Sequence, residues 1–75
     1  MKHADAIIHL NNNTSTKERD ELLNQLRSTE DVISEKFSEE MEHLLLVEYD
    51  SKVTNSLTLL NRVKEKGFES QLVGL

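Results

Sequence analysis

Hydrophobic positions along this chain change period several times, and each change marks an element. From Asp5 to Leu10 two faces alternate. Ala6, Ile8 and Leu10 fall on one side and Ile7 and His9 on the other, which predicts a short strand. Asn11-Asn12-Asn13-Thr14 breaks the alternation with residues that favour turns. The period then lengthens: Leu22, Leu23 and Leu26 form an apolar stripe at helical spacing. Ser15 and Glu18 mark the start of that helix as an S/T-x-x-E capping box, in which each side chain satisfies the other residue's free backbone N–H. Ser28 to Asp31 reads as the helix exit.

Val32 to Phe37 is predicted as a second strand, with Ile33, Glu35 and Phe37 on one face. A charge on that face suits an exposed sheet edge. Ser38 to Glu42 is polar and reads as a hairpin loop. His43 to Tyr49 gives the strongest strand signal. His43, Leu45, Val47 and Tyr49 share one face, and Leu44, Leu46 and Glu48 share the other. After a turn over residues 50–53, Thr54 or Asn55 caps a second helix lined by Leu57, Leu60 and Val63, with Leu59 beside them. Lys64 and Lys66 lie in its last turn, and Gly67 fits the left-handed residue just beyond. Phe68 packs back over the helix end, and Gln71 to Leu75 is a final strand. The order β-α-β-β-α-β predicts an α+β, ferredoxin-like sandwich: a four-stranded antiparallel sheet with two helices on one face and spatial strand order 4-1-3-2.

Composition narrows the chemistry. Seventy-five residues make one domain, taken here as 1–75. The absence of Cys excludes disulfides, thiolate metal sites and Cys nucleophiles together. A net charge of −5 is the wrong sign for a nucleic-acid or anionic-membrane surface. The apolar run 44–47 is far short of the ~20 residues that cross a bilayer. Met1 to Asp5 is not followed by the apolar segment of a signal peptide, so a cytoplasmic location is expected. No Gly-rich phosphate loop, Ser-His-Asp set or metalloprotease spacing occurs, so an enzyme and a bound cofactor are not expected.

Val47-Glu48-Tyr49-Asp50, then Leu59-Leu60 and Val63, then Gly67-Phe68 resemble the second half of heavy-metal-associated domains. In that family this half reads V-x-Y-D, a helix with L-L-x-x-I, then G-Y or G-F. The first half agrees in spacing. The family's first strand runs into G-M-x-C-x-x-C, and counting from Leu10 places Asn12 at the Gly, Asn13 at the Met, Ser15 at the first Cys and Glu18 at the second. The apolar family positions beyond then fall on Leu22 and Leu26. The resemblance covers about the whole chain and implies the ferredoxin-like fold and a metal-handling context. It departs at the ligand pair. Soft monovalent copper prefers thiolates, whereas Ser15 is a poor ligand and Glu18 a hard oxygen donor. The expectation is a domain of this type that has lost its metal site and acts through protein–protein contact.

Two other readings stay open. One is a weak metal carrier using His3, His9 or the acids. His3 is expected in a frayed terminus, and His9 and His43 on opposite sheet faces, where they would not converge. The other is a regulatory or structural module that shares only the fold. A contact surface is expected on the open sheet face, where Ile7, His9, Leu44 and Leu46 gather for a protein partner or a second copy. Glu39, Glu40 and Glu42 read as a solvated hairpin.

Overall fold

The computed structural model describes residues 2–11 and 14–73. The elements run β1 (His3–Leu10), α1 (Thr16–Arg27), β2 (Val32–Phe37), β3 (Leu44–Asp50), α2 (Ser56–Glu65) and β4 (Ser70–Leu72). The sheet order is β2-β3-β1-β4, and every pairing is antiparallel. This is the ferredoxin-like sandwich that the alternating periods predict.

One apolar cluster holds the layers together. Ala6, Ile8 and Leu10 of β1 and Leu45, Val47 and Tyr49 of β3 supply the sheet side. Leu22 and Leu26 of α1 and Leu59, Leu60 and Val63 of α2 supply the helix side. Burying a side chain of this size contributes about 1.5–3 kcal/mol. α1 lies against β2, and α2 against β4 and β1. Gly67 adopts φ +96°, which closes α2 as its position predicts, and Phe68 packs against the core.

Several expectations need correction. β1 begins at His3, whose partner across the sheet is Asp50, so His3 lies in the ladder and not in a frayed end. β3 begins at Leu44, which leaves His43 in the turn before it. In β2 the pairing shifts between Val32 and Ser34, so Val32 and not Ile33 packs against the core with Phe37. The helical spacing around Leu57 also misleads: Leu57 is 59% exposed, while Leu59, Leu60 and Val63 are buried. Asn55, not Thr54, caps α2 by accepting the Thr58 N–H at 2.8 Å. β4 starts at Ser70, and the end of the expected strand, residues 74 and 75, lies outside the described residues.

Candidate functional site

The chain leaves β1 at Leu10 and enters α1 at Thr16, with Ser15 as N-cap in an extended conformation. The Glu18 N–H donates to Ser15 Oγ at 3.1 Å, and the Ser15 N–H donates to Glu18 Oε1 at 3.1 Å. The capping box is therefore closed in both directions. The bond from the Ser15 N–H, followed by the one involving its hydroxyl, holds the Glu18 carboxyl below the usual carboxylate range. Asn12 and Asn13, which the resemblance sets at the family's Gly and Met, lie outside the described residues.

As a donor set for soft copper, Ser15 and Glu18 do not fit. A hydroxyl and a carboxylate are hard ligands, and both are committed to backbone N–H groups at the helix end. Among the described residues, no group of three or more His, Cys, Asp or Glu gathers around a common centre.

The open face of the sheet carries the expected residues. Ile7 pairs with Leu46 and His9 with Leu44 across β1 and β3. Ile7 is 38% exposed, whereas Leu44 and Leu46 are half-buried. Ser34 and Lys36 of β2 flank them, opposite Glu48 and Leu46.

His9 and His43 do not diverge as the alternation implies. Their ring centres stand 6.1 Å apart, inclined at 43°. Strict alternation would put His43 on the core face, but the residue precedes the strand and its backbone is free of the pleat. A strand beginning one residue later was the only signal that could have shown this.

Two ion pairs also escape the sequence reading. Arg62 of α2 grips Asp31 with two hydrogen bonds, 3.0 and 2.7 Å, across 31 residues of chain. Asp31 is buried, and the Arg62 guanidinium holds its carboxyl down to about 2, overcoming the opposing cost of burial. The pair fastens the α1–β2 connection to α2. The second pair explains Glu35 on the core face of β2: its side chain is 6% exposed and accepts from Arg27 Nε of α1 at 2.6 Å. β2 is an edge strand, as expected, but Glu35 on it is covered by a helix-borne cation.

No protein-family model matches the sequence, and no curated relative matches it. Solved structures do. Oxidized MerP from Ralstonia metallidurans CH34 superposes with a TM-score of 0.82 at 14% identity, covering 97% of this chain and 100% of that one. The yeast copper transporter domain Ccc2a, solved in apo and Cu(I)-loaded states, gives 0.79 at 17% identity over 93% of this chain and 94% of its own. A copper-binding domain from HMA7, a P-type ATPase, gives 0.81 at 11% identity over 93% of both chains. Among the described residues, no helix is long and apolar enough to cross a membrane. At these identities the likeness is one of fold: over 93–97% of its length the chain has the ferredoxin-like fold that MerP and these copper-binding domains share.

Proposed function

We propose that this chain is a non-enzymatic heavy-metal-associated-type domain whose thiolate site has been replaced by a helix cap, and that it acts by protein–protein contact in a metal-handling or transport context. The observation that carries this reading is the closed Ser15–Glu18 capping box at the two positions that the resemblance assigns to the ligand pair. A cap and a metal loop compete for the same backbone: the helix end that would present two thiolates is here stabilised by its own side chains. The metal context comes from solved structures of similar fold, a yeast copper transporter domain and a copper-binding domain of a P-type ATPase. The location we propose is cytoplasmic.

The contact surface we assign is the open sheet face around Ile7, His9, Leu44 and Leu46, which takes a partner protein or a second copy of the chain. Its supporting feature is the grouping of three aliphatic side chains on the side of the sheet that no helix covers.

The test is a titration of the wild-type protein with reduced copper, read by two-dimensional amide NMR. The amides of residues 14–18 are expected to stay unmoved. Shifts there that saturate near one equivalent would instead make Ser15 and Glu18 ligands and the chain a metal carrier.

A further inference from the structure

We propose that His9 and His43 form a two-imidazole site for a borderline divalent cation of the zinc class, with its remaining coordination positions open. The site is independent of the capped helix end and uses none of its atoms.

Both backbones are fixed. His9 lies inside the sheet, paired with Leu44 on β3 and with Gln71 on β4. The His43 carbonyl accepts the Leu10 N–H at 2.8 Å, which ties the turn to β1 beside His9. The rings stand 6.1 Å apart at 43° before any ligand arrives. A zinc-class ion sits about 2.0–2.1 Å from each imidazole nitrogen, so two rings at the tetrahedral angle have centres about 5 Å apart. Closing the remaining distance of about 1 Å takes only side-chain torsion, since His χ2 is broad and His43 is exposed.

Asn11 also stands beside the His9 ring. His9 Nδ1 lies 3.0 Å from Asn11 Oδ1. With the amide oxygen as acceptor, Nδ1 carries the proton and the Nε2 lone pair is free, the arrangement by which outer partners orient metal-binding histidines. Neutral imidazole suits zinc, copper(II) and nickel, and the absence of any thiolate removes the preference for soft monovalent copper. Two protein ligands leave positions for water or for a donor from another molecule, so the site is exchangeable. The net charge of −5 favours cation approach.

Zinc ions titrated into the full chain, with amide NMR as the readout, test the site. Wild-type protein is expected to shift at residues 9–11 and 43–44 and to saturate near one equivalent. His43→Ala and His9→Asn should each weaken zinc at least about tenfold, no less than the loss of an outer-shell partner typically does. Asn11→Ala should weaken it less. His3→Ala is the control, because His3 stands at the other end of β1, about 20 Å away at strand rise. The amide spectrum of each variant shows directly that it is folded. No shift at millimolar zinc, shifts that persist in folded His43→Ala, or shifts abolished by His3→Ala would each overturn the proposal.

Discussion

Ser15 and Glu18 close the start of α1 with their own side chains. Each satisfies a backbone N–H that the start of a helix leaves unpaired. Ser15→Ala is expected to cost about 1 kcal/mol in urea unfolding, the usual worth of an N-cap. An unchanged midpoint would mean that the cap adds nothing. The cap was legible because its whole signal lies within four residues. The Asp31–Arg62 pair was not, because it joins residues 31 apart and depends on how α2 lies over the α1 exit. Its consequence appears with pH. Asp31 titrates at about 2 when folded, against 3.8 as its ordinary value. The folded state thus resists protonation where the unfolded chain accepts it. The stabilisation is complete well above 3.8 and fades as pH falls through the folded value of about 2. It amounts to about 2 kcal/mol. Unfolding free energy should therefore drop between about pH 5 and 2, and less steeply in Asp31→Asn. Equal slopes in the two proteins would contradict the pairing.

At the scale of elements, β2 and α2 mark where periodicity stops being sufficient. The shift in pairing between Val32 and Ser34 moves Ile33 off the core pattern, and no residue type announces it. Leu57 has helical spacing to Leu60 but is exposed, because the buried face of α2 is centred on Leu59, Leu60 and Val63. β1 and β3 were read well because strict alternation in a central pair fixes which face is buried. The same alternation assigns Leu44 and Leu46 to the open side. Leu44→Ser with Leu46→Ser is expected to leave the fold intact, as judged by its amide spectrum, and to abolish association measured by sedimentation with its partner or a second copy. Unfolding of the double variant would make these leucines structural and remove the proposed contact face.

Over the whole molecule, the sequence reading recovers the architecture and less of the site. Element order and core are set by local patterns that agree with one another, and structures under 20% identical share the result with TM-scores near 0.8. The proposed loss of a metal site rests on two positions, Ser15 and Glu18. The contact between His9 and His43 depends on a turn whose direction alternation cannot give. The central claim is that a helix cap occupies the place of a thiolate pair on an otherwise intact scaffold. The most direct measurement is a titration of reduced copper into the double variant Ser15→Cys, Glu18→Cys beside the wild-type chain. We expect the folded variant to bind one equivalent through residues 15 and 18, while those positions in wild type stay silent. A variant that folds and still ignores copper there would show that Ser15 and Glu18 do not stand where the ligand pair belongs.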